Sequence, residues 1–228
     1  MELTKENVIK HDKVYDLLES AIAAAYPMME KIYDDDEYYD KVFKLDKAIK
    51  EDDFSNRDLK RFIRLGSSDG GHDNFLNTVI VNFTLTVGIK VWTEIERYKF
   101  VNFNSSQSTM HRLCKMEIAE CTTKYADKVI LERLQKLIDE YNNNPTEENF
   151  LIMTRNCPVD LVLTARLSTN YRCLKNMYFQ RKEHRQPEWK IICEWIRTLP
   201  LMDLILTKAE EKKKPKVIVL PEEKTENK

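Results

Sequence analysis

Between residues 79 and 91 every second residue is apolar: Val79, Val81, Phe83, Leu85, Val87, Ile89 and Val91, with Asn82, Thr84, Thr86 and Lys90 between them. A period of two puts the apolar set on one face of a strand and the polar set on the other. A strand that buries one face only belongs in an antiparallel sheet covered on one side by helices. Most of the remaining chain reads as helix. The expected fold class is therefore α+β, an antiparallel sheet packed with several long helices.

Val8, Val14, Leu17, Leu18, Ile22 and Ala25 recur at three- and four-residue spacing and predict a helix over 5–32, which Pro27 threatens to break. Residues 34–53 are strongly acidic and read as a solvated helical face with its loops. Ser67-Ser68-Asp69-Gly70-Gly71 is a flexible loop without the glycine pattern of a phosphate-cradling motif. A second extended stretch is expected at 97–103, ending in the polar run Asn104-Ser105-Ser106-Gln107-Ser108-Thr109. Further helices are expected over 122–141, from Thr146 onward, over about 159–181 and from near Glu188, with a turn at 183–187. No internal repeat is visible. The organisation expected is one domain over 1–207 and a charged, exposed or partner-docked tail over 208–228.

A chain of 228 residues that is 42% apolar is long enough to bury a substantial core. Its 37 basic and 38 acidic residues cancel to a net charge of −1, which argues against holding duplex nucleic acid by bulk charge. No stretch approaches the roughly 20 apolar residues of a membrane span. The N-terminus lacks the basic-then-apolar order of a signal peptide. Five dispersed cysteines, Cys114, Cys121, Cys157, Cys173 and Cys193, show no metal-ligand or redox spacing, so no metal is expected. Cys114 and Cys121 are seven apart and read as one apolar helix face. These features place the expected protein in the cytoplasm.

The segment from Asn170 to Ile191 concentrates the chemistry. Over residues 171–190 six Lys or Arg face two Glu, a local excess of four positive charges in a neutral chain. Arg172 and Asn176 are four apart and share a helical face, and Arg181 stands near the helix end beside Lys182, His184 and Arg185. Arginine's planar fork suits a phosphate or a pyrimidine carbonyl. From spacing alone, a cationic helix end complementing its dipole explains the same charges.

The pattern Asn170-x-Arg172-x-Leu174-x-Asn176-Met177, three residues, Arg181, a His-containing turn and Trp189-x-Ile191 resembles the C-terminal signature of flavin-dependent thymidylate synthases. Upstream, Gly71-His72, Phe75, the alternating strand and Arg97-Tyr98-Lys99 fall in that family's order, and Arg155 with Pro158 matches its Arg shortly before a Pro. The similarity covers roughly 70–108 and 150–196. It implies a homotetramer with FAD held where subunits meet. It also implies transfer of a one-carbon unit from methylenetetrahydrofolate to C5 of dUMP or a related pyrimidine deoxynucleotide such as dCMP, with NADPH recharging the flavin. No enzyme cysteine attacks the pyrimidine in that family, and Cys157 before Pro158 reads as structural.

Carried over residue by residue, the resemblance makes Arg181 the catalytic group that grips the pyrimidine and stabilises the negative charge developing on it. Arg155 would help hold the nucleotide, with Ser105, Gln107 or Ser108 along the nucleotide phosphate or flavin edge. Asn170, Arg172, Asn176, His72, Arg97, Lys99 and Asn104 would contact the flavin, although a loop histidine is as often merely exposed. Three departures stand out: the central His is Tyr98, its second Arg is Lys99, and its Ser falls on Gln107 between Ser106 and Ser108. In the last motif Glu188 stands where a Gln is usual, one residue late. Such degeneracy suits a fast-evolving setting such as a virus or mobile element. The reading from another class is a non-catalytic binding or assembly protein that kept the fold while its active site decayed.

Overall fold

The computed structural model describes residues 1–213. Its chain opens on a short helix α1 (Lys5–Val8) and a strand β1 (Ile9–Tyr15), then a helix α2 (Leu17–Ala23) and a 3₁₀ turn at Tyr26–Met28. This corrects the single helix expected over 5–32. Lys10, His11, Asp12 and Lys13 offer no apolar face to a helix, and the free edge of the central strand offers a ladder instead. His11, at φ 54°, sits inside a bulge between Lys10 and Lys13.

The acidic stretch becomes α3 (Asp35–Lys50), capped by Asp34, and is followed by α4 (Arg57–Gly66), capped by Asn56. The alternating segment becomes β2 (Ile80–Gly88). Strand structure stops there, so Ile89 and Val91 lie in α5 (Ile89–Ile95), where Val91, Trp92 and Ile95 turn inward at helical spacing. The second extended stretch is shifted to β3 (Asn102–Ser106), after which come the short helix α6 (Thr109–Arg112), α7 (Lys128–Asn143) and α8 (Glu147–Arg155). Capped by Asp127, α7 begins six residues later than the sequence suggested.

The helix expected over 159–181 is instead a strand, β4 (Val162–Asn170), running directly into α9 (Tyr171–Arg181). Ala165, Leu167 and Thr169 alternate inward with Thr164, Arg166 and Ser168 on the opposite side, a period of two overlooked beside the helical pattern that follows. The chain closes with α10 (Pro187–Thr198) and α11 (Met202–Lys213), so Lys208–Lys213 of the charged tail are helical and the rest of it lies outside the described residues.

The four strands form one antiparallel sheet in the order β1-β2-β4-β3. The β2–β4 ladder is unbroken from Ile80↔Asn170 to Gly88↔Val162. Its inner face, with Val81, Phe83, Leu85, Ala165 and Leu167, packs under the helices around fully buried Trp189 and Trp195. The α+β class is as expected. A second, smaller core joins Leu113 and Met116 to α7, α8 and Leu161. Cys114 and Cys121 pack against this core from a 3₁₀ turn and a loop, not from one helix face. No described helix is long and apolar enough to cross a membrane.

Phe83 is 3% exposed and its ring centroid lies 4.6 Å from that of Trp195, whose Nε1 donates to Asp12 at 3.1 Å. Phe83→Ala should therefore lower stability by about 3–4 kcal/mol, read as a fall in the urea midpoint at unchanged m-value.

Candidate functional site

The junction of β4 and α9 builds one wall of a groove. Asn170 ends the strand and caps the helix, its Oδ1 accepting the Cys173 N–H at 2.8 Å. With that oxygen committed to the cap and the residue 7% exposed, Asn170 sets the direction of α9 and does not line the groove. Arg172, Asn176, Gln180 and Arg181 follow along the helix. The turn carrying Arg97, Tyr98, Lys99 and Phe100 forms the other wall, with Asn77 beside it. The groove encloses about 530 Å³. It gathers Arg97, Lys99, Arg172 and Arg181 with no carboxylate in its lining.

Buried carboxylates behind the groove fix its arginines. Asp73 Oδ1 lies 3.1 Å from Arg172 Nε, too misaligned for a hydrogen bond, so both buried atoms lack a partner of that kind. Asp73 Oδ2 pairs with Lys175 Nζ, which also donates to the carbonyls of Gly66 at 3.0 Å and Ser68 at 2.8 Å. On the far side Glu94 Oε2 accepts from Trp189 Nε1 at 2.7 Å and from Arg181 Nη1 at 3.2 Å, while Oε1 lies 3.1 Å from Lys90 Nζ. Arg181 Nε donates to the Tyr98 hydroxyl at 3.0 Å, and its guanidinium lies 4.8 Å from the Trp189 ring centre. With Nε and Nη1 so engaged, what Arg181 offers the groove is its Nη2 edge.

Burial works to raise the Glu94 carboxyl, but hydrogen bonds from Trp189 and Lys90 and the adjacent His184 outweigh it and hold the group below the ordinary carboxylate value. Burial raises the Tyr98 hydroxyl, opposed by Arg181. Glu188 is 4% exposed with Oε2 unpartnered, and burial, reinforced by Asp160 and Glu94, pushes its carboxyl up. Burial also raises the Cys157 thiol, the opposite of an activated nucleophile.

Of the residues expected from sequence, Arg97, Lys99, Arg172, Asn176 and Arg181 come together in the groove. The others stand apart within one chain. His72 is exposed, and its neighbour Asp73 is the buried residue that matters for the groove. Asn104 and Ser105 are exposed on the edge strand β3. Gln107 prolongs that ladder, donating its backbone N–H to the Thr164 carbonyl at 2.9 Å and accepting the Thr164 N–H on Oε1 at 3.2 Å. Ser108 precedes α6 without a side-chain cap bond. Arg155 is exposed at the end of α8, in a separate shallow hollow beside Leu151 and Ile152.

Glu94, Asp73 and Lys175 were missed. Their signal was weak: Glu94 lies four residues after Lys90, and Asp73 directly follows the His72 that drew attention.

No protein-family model matches the chain. No curated protein sequence matches it either. Solved structures do. The fold is that of a flavin-dependent thymidylate synthase. Two structures of the enzyme ThyX from Helicobacter pylori with FAD and dUMP superimpose with a TM-score of 0.58 at 16% identity. They match 87% of this chain and, respectively, 96% and 95% of theirs.

Two measurements test the electrostatics. Glu94→Gln removes the carboxylate that Arg181 and Trp189 share, and should destabilise the fold by about 3 kcal/mol in urea titrations. The lowered Glu94 carboxyl stabilises the fold above the ordinary range, and that contribution fades as pH falls through its folded value. Glu188 has the opposite sign: raised in the fold, its contribution is intact at acid pH and is lost as pH rises through the raised value. Glu188→Gln should therefore raise the melting temperature near about pH 8 and lose that advantage near about pH 4.

Proposed function

We propose that this protein is a flavin-dependent thymidylate synthase-like enzyme. It would transfer a one-carbon unit from methylenetetrahydrofolate to C5 of dUMP or a related pyrimidine deoxynucleotide such as dCMP. The observation that carries the reading is the meeting of Arg97, Lys99, Arg172, Asn176 and Arg181 in one groove of a chain with this fold.

The residues present fit FAD. A groove lined by four cations and no carboxylate suits a pyrophosphate. Arg97, Lys99 and Arg172 would hold the phosphates, Asn176 would orient a ring through its amide, and Phe100, 63% exposed, offers an apolar surface. When bound, FAD supplies the hydride and NADPH restores it. Arg181, held by Glu94 and Tyr98, presents a fixed cation to a pyrimidine carbonyl oxygen and stabilises charge developing on the ring. Its position needs no rearrangement as that charge appears. Lys99 meets a phosphate as a point charge, without the bidentate fork of the arginine it replaces. Arg155, Asn104, Ser105 and Ser108, away from the groove of their own chain, would serve a neighbouring subunit of a homotetramer.

The protein mixed with FAD and desalted should retain a flavin absorption band, and a folded protein that stays colourless would overturn the reading. Arg181→Ala should keep the band and lose about 10²–10³ in turnover of dUMP or dCMP. Mixing Arg181→Ala with Arg155→Ala subunits should restore part of the activity that each lacks alone, because mixed tetramers contain some complete sites.

A further inference from the structure

On the opposite side of α4 from the core lies a larger cavity of about 970 Å³ that none of the chemistry above uses. Its lining carries six cations, Lys41, Arg57, Lys60, Arg61, Arg64 and Lys208, against one carboxylate, Asp58. In a chain of net charge −1 that is a strong local imbalance. Four of the cations sit on α4 at positions 57, 60, 61 and 64, so every neighbour along that stripe is a like-charge pair at three- or four-residue spacing. Such pairs destabilise a helix.

Asp58 satisfies two of the six. It pairs with Arg61 and lies 3.6 Å from Lys41, whose ammonium also lies 4.8 Å from the Tyr33 ring centre. Arg57, Lys60, Arg64 and Lys208 have no carboxylate within ion-pair distance among the described residues. The nearby Lys212 ammonium is pushed down, first by burial and then by Lys208, Lys175 and Arg64. The other half of the lining is apolar: Met28, 91% exposed, and Phe54, 47% exposed, stand with Met29, Tyr33 and Ile63.

A simple anion leaves that apolar half empty, and an apolar ligand leaves the four cations unanswered. A ligand with an aromatic body and about four negative charges meets both halves. The volume falls in the range of a single small-molecule site, of roughly 300–1,000 Å³. The cations are gathered within this one cavity, a footprint for a single small polyanion, and the oligonucleotide arm of the test below separates that from a nucleic-acid strand. We infer that this cavity is a second nucleotide site, which binds a nucleoside triphosphate with its phosphates on the α4 stripe and its base against Phe54 and Tyr33.

The test is calorimetric titration of the full chain, saturated with FAD, with ATP, UTP, tripolyphosphate and a single-stranded oligonucleotide. The variants are the triple Arg57→Ser, Lys60→Ser, Arg64→Ser and, separately, Phe54→Ala; both change exposed side chains, and melting curves confirm their folding. At least one triphosphate should bind at micromolar affinity in the presence of FAD. The triple variant should weaken it at least about tenfold and Phe54→Ala several-fold, while both variants keep the flavin band of the wild type. The inference is overturned if neither triphosphate binds, or if the triple variant binds as tightly as wild type. Equal affinity for tripolyphosphate, tighter binding of the oligonucleotide, or displacement of the triphosphate by FAD would overturn it as well. The flavin band and the triphosphate titration are separate readouts, so failure of one leaves the other standing.

Discussion

The Lys175 ammonium, 1% exposed, is the charge on which the groove depends. An unpaired ammonium at that depth is not tolerable, so its three donors must all be answered. They are answered by the carbonyls of Gly66 and Ser68 and by Asp73. The first two acceptors terminate α4, and the third begins the turn that leads into β2. One side chain on α9 thereby ties the glycine loop to the helix. Gly70 and Gly71, at φ 73° and 90°, let the backbone double back so that Asp73 can arrive there. The second oxygen of Asp73 then faces Arg172, so the arginine wall of the groove is set from beneath by a fold-stabilising contact.

Glu94 has the corresponding role for Arg181. A carboxylate 6% exposed would be costly if alone, yet it gathers donors from α5, α9 and α10. The pair is weak evidence for stability, since desolvation cancels much of the attraction. Its consequence is geometric. An arginine with two of its three nitrogens fixed has little rotamer freedom left to lose when a substrate oxygen arrives. Tyr98, which departs from the histidine of the family pattern, does not stand free to stack in the groove. Its hydroxyl accepts from Arg181 and its ring packs near Trp189, 6.2 Å between centres. Tyr98 is thereby part of the support of the arginine.

What could be read from the sequence follows from how local each signal is. The alternation around Phe83 is a short-range period, and it correctly gave a one-faced strand under helices. The Thr146 cap and the Pro187 turn are equally local. Ile9–Tyr15 is a strand only because β2 has an open edge, a fact that lies some seventy residues away in sequence. Val162–Asn170 was hidden because its period of two runs without a break into the helical period of Tyr171–Arg181. For the site, Arg172, Asn176 and Arg181 share one helix and were legible together. Asp73, Glu94 and Lys175 act through contacts across the fold, which spacing cannot express.

The sheet gives the proposed assembly its physical ground. Among the described residues, helices pack on the face with Val81, Phe83, Leu85 and Leu167. The opposite face presents Asn82, Thr84, Thr86, Thr164 and Ser168 around Arg166, with Thr86 and Thr164 hydroxyls 2.9 Å apart and Arg166 donating to the His11 carbonyl at 2.7 Å. Such a face is wettable, yet its hydrogen-bonding groups are directional and already partly ordered by one another. At its margin β3 is an edge strand exposed along its length, carrying Phe103 and preceded by Phe100. Open edges with apolar neighbours invite pairing unless something covers them. Asn104, Ser105 and Ser108, which the family pattern assigns to ligand contacts, lie on or just beyond this same margin. A second copy meeting it would bring together residues that a single chain keeps apart.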